Sequence, residues 1–116
     1  MQAKPKYQAL VLPNIARKLI KPNIIELGTS AGLTTSYLSK AIPEGTIYTL
    51  EECPNIQKIA LETFTKIEAK NITTILGNFD DTLDSTLSSI KRLDLLYIDG
   101  NHTYDATIDY FKKVLP

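Results

Sequence analysis

Apolar positions along the chain follow two alternating rhythms. Residues 23–27, 46–51, 72–76 and 94–99 are short runs rich in Ile, Leu and Tyr, which predicts strands. The run Leu95-Leu96-Tyr97-Ile98 is continuously apolar, as expected for a strand covered on both faces. Between these runs the spacing becomes helical. Leu33, Tyr37, Leu38 and Ile42 form one apolar stripe, and Ile56, Ile59, Ala60, Phe64 and Ile67 form a second. Leu83, Leu87 and Ile90 form a third, and Tyr104, Ile108, Phe111 and Leu115 a fourth. Pro22 precedes the first strand, Pro43-Glu44-Gly45 separates a helix from a strand, and Pro54 sits where a helix would begin. Alternation of this kind predicts parallel strands joined by right-handed crossovers, an open α/β sheet wound on both faces. Ligands of such sheets bind beyond the carboxyl ends of the strands, where strand order reverses.

Composition narrows the class. Apolar residues make up 43% of the 116, the range of a globular domain rather than a disordered one. The longest aliphatic stretch near the N-terminus, Ala9 to Leu12, is too short for a membrane span or a secretory signal. The single cysteine, Cys53, allows no internal disulfide and no cysteine-based zinc site, which favours a reducing, cytoplasmic setting. The net charge is zero but unevenly spread: Lys4, Lys6, Arg17, Lys18 and Lys21 precede the first acid, Glu26. Residues 1–22 read as a basic helical lead-in, with Leu10, Ile15, Leu19 and Ile20 as its apolar side. No stripe of aromatic and basic residues suggests a nucleic-acid surface.

The strand ends carry the candidate chemistry. After residues 23–27 comes Gly28-Thr29-Ser30-Ala31-Gly32, opening directly into a helix. Gly28 suits a tight turn, Gly32 close helix packing, and the helix start offers unpaired N–H groups. The dinucleotide fingerprint wants glycine where Ser30 stands, and Glu26 suits a ligand amine better than a phosphate. Glu51 lies 23 residues past Gly28, where a carboxylate can take both hydroxyls of a ribose. Its neighbour Glu52 reads as a helix-start acid favouring the macrodipole. Past residues 72–76, Asn78 could bond an adenine edge and Phe79 could pack on its face or fill core, while Asp80 or Asp81 would cap the next helix. The last strand ends in Asp99-Gly100-Asn101-His102-Thr103-Tyr104, which gathers a carboxylate, the only histidine and a tyrosine.

Taken together, these strand ends resemble a class I S-adenosylmethionine-dependent methyltransferase of the small-molecule O-methyltransferase branch, with sugar, macrolide and catechol O-methyltransferases as relatives. Glu-Leu-Gly-Thr-Ser-Ala-Gly is similar to that family's first motif, with Ser30 replacing its middle glycine. Leu-Glu-Glu-Cys-Pro resembles the ribose segment, Gly-Asn-Phe-Asp-Asp the adenine segment, and Ile-Asp-Gly-Asn-His-Thr-Tyr the fourth-strand motif. The resemblance covers residues 23 to about 115 and implies a Rossmann-like fold. It implies that Glu26 and Gly28 face the cofactor's ammonium, and that Thr34 meets its carboxylate. Glu51 would hold the ribose and Asn78 with Phe79 the adenine, while Thr29, Ser30 and Gly32 shape the loop. In the catechol branch the fourth-strand acid binds a divalent metal and a lysine three positions on is the base. Asp99 and His102 stand in those places, so Asp99 would orient the acceptor or hold magnesium and His102 would be the base.

The family's sheet is larger than the four strands read here, so residues 23–116 look like the cofactor-binding half of a longer enzyme. The strand at 94–99 would then offer an exposed edge and invite self-association. Two other readings stay open: a nicotinamide-dependent oxidoreductase, and a non-catalytic nucleotide-binding or scaffold domain. The expected partner is a small-molecule acceptor whose identity lies outside these motifs, with neither nucleic acid nor membrane involved.

Overall fold

The computed structural model describes residues 7–11, 21–29, 32–99 and 112–113. In chain order the elements are β1 (Tyr7–Val11), β2 (Asn23–Leu27), α1 (Leu33–Ala41), β3 (Thr46–Glu51), α2 (Pro54–Lys66), β4 (Ile72–Leu76), α3 (Phe79–Ser89) and β5 (Leu95–Asp99). They form one sheet in the order β1-β5-β2-β3-β4. The four strands from β2 onward are mutually parallel, and β1 runs antiparallel to β5. From β2 the chain steps outward through β3 to β4, then returns to place β5 on the far side of β2. Right-handed crossovers therefore put α1 and α2 on one face and α3 on the other. The doubly wound α/β architecture stands, and strand order reverses between β2 and β5.

The two faces differ in chemistry because successive strand residues point to opposite sides. Toward α3, Ile25, Leu27, Leu50, Leu96 and Ile98 pack with Phe79, Leu83 and Leu93 in an apolar core. This core explains why α3 followed its hydrophobic period: Leu83 is buried, and Leu87 and Ile90 pack against the cluster. Toward α1 the sheet presents Glu26 and Thr49 beside Ile24 and Ile47. The seat for α1 is thus partly polar, and the helix buries Thr35 and Ser39, one turn apart. Leu33 and Tyr37, expected on the packed face, are instead 74% and 76% exposed. On α2, Ala60 and Phe64 are buried, whereas Ile56 and Ile59 face solvent. Because Tyr37 supports nothing beneath it, Tyr37→Ala should change the unfolding free energy by less than about 0.5 kcal/mol. A chemical denaturation curve checks this, and a core-sized loss would restore the hydrophobic-stripe reading of α1.

The N-terminal segment departs from expectation. Residues 7–11 are a strand rather than part of a basic helix. The helical reading required one face to join Leu10 to Ile15, a spacing of five, across Pro13, which helices exclude from their interiors. In β1, Tyr7 lies opposite Asp99 and Val11 opposite Leu95. Consequently β5 is flanked on both sides, by β1 and β2, and is not the exposed edge inferred from the sequence. At the amino ends of the strands, buried Asp94 accepts the Asn23 backbone N–H at 2.9 Å and pairs with Arg92 at 2.8 Å, tying β2 to β5. Among the described residues no helix is long and apolar enough to cross a membrane.

Candidate functional site

Strand register aligns the candidate loops. Leu27 is level with both Leu50 and Ile98, and Glu51 with Leu76. Gly28, Glu51, Gly77 and Asp99 therefore lie along the carboxyl edge of the sheet, beside the reversal of strand order. At this edge the Gly28 N–H donates to Leu50 O at 2.8 Å, and the chain then turns sharply, with φ +95° at Gly28 and +88° at Gly32. Only glycine adopts such values at little cost. The Gly32 N–H closes the turn onto Thr29 O at 3.0 Å, and Gly32 is the N-cap of α1. Without a side chain it caps nothing, so the first-turn N–H groups of α1, including that of partly buried Thr34, point past the helix end. Ser30 lies outside the described residues.

A chain of hydrogen bonds fixes this loop from beneath. Glu26 is wholly buried, and its Oε1 accepts the Thr35 hydroxyl of α1 and the Thr49 hydroxyl of β3, the latter at 2.6 Å. Thr49 Oγ1 lies 2.7 Å from Thr29 Oγ1. A hydroxyl has one proton to give, so Thr49, donating to Glu26, accepts from Thr29. The Thr29 backbone N–H in turn donates to Glu51 Oε1 at 2.9 Å. Glu51 Oε2 accepts the N–H groups of Glu52 and Cys53 at 3.1 and 3.0 Å. The two acids singled out from the sequence are therefore ends of one network, with Thr29 and Thr49 between them. Sequence reasoning placed Thr29 in the loop but missed Thr49, because within the strands it followed apolar residues. The available signal was Thr49 interrupting the apolar run of a strand level with Glu26, a register seen only once the strands are paired.

The remaining candidates separate. Exposed Glu52 precedes α2 but bonds elsewhere: its Oε2 accepts the Phe79 N–H at 3.1 Å, at the start of α3. Asn78, not Asp80 or Asp81, is the N-cap of α3; its side chain accepts the Asp80 N–H at 2.7 Å, and the two aspartates occupy the first turn. Phe79 is 3% exposed, within the core facing α3. Of the two places the sequence allowed it, adenine face or core, the ring occupies the core with Leu83 and Leu50. Glu26, wholly buried, joins α1 to β3 through Thr35 and Thr49. Asp99 ends β5 at the expected edge, although its side chain, like His102 and the predicted helix beyond except for helical residues 112–113, lies outside the described residues. Among the described residues no three His, Cys, Asp or Glu side chains gather to hold a metal. Cys53 is a half-buried free thiol at the N-cap of α2. Two shallow grooves, of about 540 and 270 Å³, lie away from this edge, around the carboxyl end of α2 and the start of β4.

Comparison with known proteins fits this geometry. Residues 25–116 match the methyltransferase domain family, and the chain belongs to it. No curated protein matched significantly. Among solved structures, a candidate O-methyltransferase from Klebsiella pneumoniae is 26% identical, with a TM-score of 0.52 over 54% of this chain and 30% of its own. The precorrin-6y C5,15-methyltransferase of Geobacter metallireducens shares 16% identity and a TM-score of 0.56, covering 85% of this chain and 64% of its own. PKMT2 from Rickettsia typhi, in complex with AdoHcy, shares 11% identity and a TM-score of 0.52, over 61% and 16% respectively. The last two establish likeness of fold, the Rossmann-like methyltransferase fold in part. The chain spans less than two thirds of the length of each of these proteins.

Proposed function

We propose that the chain binds S-adenosylmethionine and forms the cofactor-binding part of an enzyme that methylates a hydroxyl of a small molecule. The observation that carries the reading is the Thr29 N–H to Glu51 bond, which joins a glycine turn at the strand-order reversal to an acid ending the next strand. The donor set suits the cofactor. An uncapped helix start offers N–H groups to a carboxylate, and a carboxylate at the end of β3 suits the hydroxyls of a ribose. In this reading Gly28, Thr29, Ser30 and Gly32 shape the loop, and the first turn of α1 with Thr34 takes the amino-acid carboxylate. Glu51 takes the ribose. Asn78, whose carbonyl is used in capping, offers its amide N–H groups to the adenine edge. Glu26 acts through Thr35 and Thr49 as a positioning residue rather than as a contact.

The cofactor, when bound, supplies an electrophilic methyl group. The protein's task is then to align an acceptor oxygen and remove its proton. By position, Asp99 orients the acceptor and His102 accepts that proton, imidazole being suited to this near neutral pH. Oxygen as the acceptor atom is supported by the Klebsiella relative, and a cytoplasmic setting by the single cysteine. Calorimetric titration with S-adenosylhomocysteine and with NAD tests the reading. Binding of the former alone is expected, and binding of NAD alone would overturn it.

A further inference from the structure

We infer that β4 is a pairing edge through which a second copy of this chain extends the sheet across a two-fold axis. Among the described residues β4 pairs with β3 only. On that side the Ile47 N–H donates to Asn71 O and the Gly77 N–H to Glu51 O, each at 2.9 Å. Residues 71, 73, 75 and 77 therefore direct their backbone groups at β3. Ile72, Thr74 and Leu76 turn N–H and C=O outward. Natural edges are commonly blunted by Lys, Pro or a bulge, yet β4 reads Ile-Thr-Thr-Ile-Leu, without charge or proline.

The sequence of this edge is self-complementary. Antiparallel pairing centred on Thr74 sets Thr74 against Thr74 of the second copy, Ile72 against Leu76, and Thr73 against Ile75. Continuing outward, Asn71 meets Gly77 and Lys70 meets Asn78, so no like charges face one another. Threonine pairs and apolar pairs of this kind stabilise antiparallel neighbours. The centre falls on an outward-facing residue, so Thr74 N–H and C=O of each copy meet their counterparts in a hydrogen-bonded pair.

The groove of about 540 Å³ explains why a second strand fits here. It is lined by Leu61, Phe64 and Thr65 of α2 with Ile72 and Thr74 of β4. Opposed residues of an antiparallel pair share a face, so Leu76 of the second copy, 45% exposed in the free chain, would lie beside Ile72 over this groove. The edge is short, which places the dimer among weak associations.

Sedimentation equilibrium of the full chain from about 5 to about 500 µM, the range of such affinities, tests the proposal. A concentration-dependent monomer–dimer equilibrium is expected. Thr74→Pro removes an outward N–H that β3 does not use, and should weaken dimerisation at least about tenfold. Thr74→Lys, which sets two ammonium groups against each other at the axis, should do the same and carries the test if the proline variant fails to fold. A wild-type chain that stays monomeric throughout, as it would if this edge received a different partner, overturns the proposal. So does a dimer indifferent to Thr74→Lys.

Discussion

Gly32→Ala should cost about 2–5 kcal/mol of stability, a large share of what a domain of this size possesses. Two independent causes add. The residue holds φ +88°, where an L side chain crowds its own backbone for roughly 1–2 kcal/mol. A Cβ at this position would also lie 2.8 Å from Phe64 Cε1 and 3.3 Å from Ala60 Cβ. Phe64 is itself buried, so its ring cannot swing aside without opening the contact between α1 and α2, and overpacking of this kind costs about 1–3 kcal/mol. The close approach is what allows α1 to begin directly beneath the turn, with its first N–H groups directed at the carboxyl edge. Urea unfolding of the variant measures the loss. A change below about 1 kcal/mol would show that α1 adjusts freely and that the turn is not fixed by packing.

How far the sequence disclosed this architecture follows from what hydrophobic patterning can register. Strands β2 to β5 and helix α3 were legible because they pack against one apolar core, where period and burial coincide. Helix α1 was found but its face was misjudged, since the surface beneath it is the Glu26–Thr49 network and Thr35 and Ser39 carry no hydrophobic signal. Strand β1 was missed because a five-residue antiparallel edge contributes little periodicity, and Leu10 could be assigned to a helix if Pro13 was overlooked. At the site, the turns at Gly28 and Gly32 and the strand-end place of Glu51 were legible from type and spacing, because left-handed turns need glycine and a strand's apolar run stops at its end. Phe79 was not, because an aromatic residue after a strand reads equally as ligand platform and as core. Only the packing of α3 on the sheet decides between them.

Glu51 and Glu52 are adjacent in sequence and hold different neighbours, so their substitutions should separate. Glu51→Ala should weaken S-adenosylhomocysteine binding roughly 10–150-fold, the equivalent of about 1.5–3 kcal/mol for a charged acceptor at a buried position. The same change leaves the N–H groups of Thr29, Glu52 and Cys53 without their acceptor, so the glycine turn loses its tether to β3. Glu51→Gln distinguishes the two contributions. An amide oxygen can still receive the Thr29 N–H while the charge that favours hydroxyl donors is gone. A Gln variant with an intact melting transition and weakened binding assigns the loss to ligand contact. Glu52 accepts only the Phe79 N–H among its described bonds, from an exposed position. Its replacement by Ala should loosen the start of α3 slightly and lower affinity by less than about fivefold, as expected for an acid at a helix start. Calorimetric titration of all three variants reads both effects. Equal losses at positions 51 and 52 would mean that the carboxylates act together on the ligand, and that the division of labour drawn from their separate hydrogen bonds is wrong.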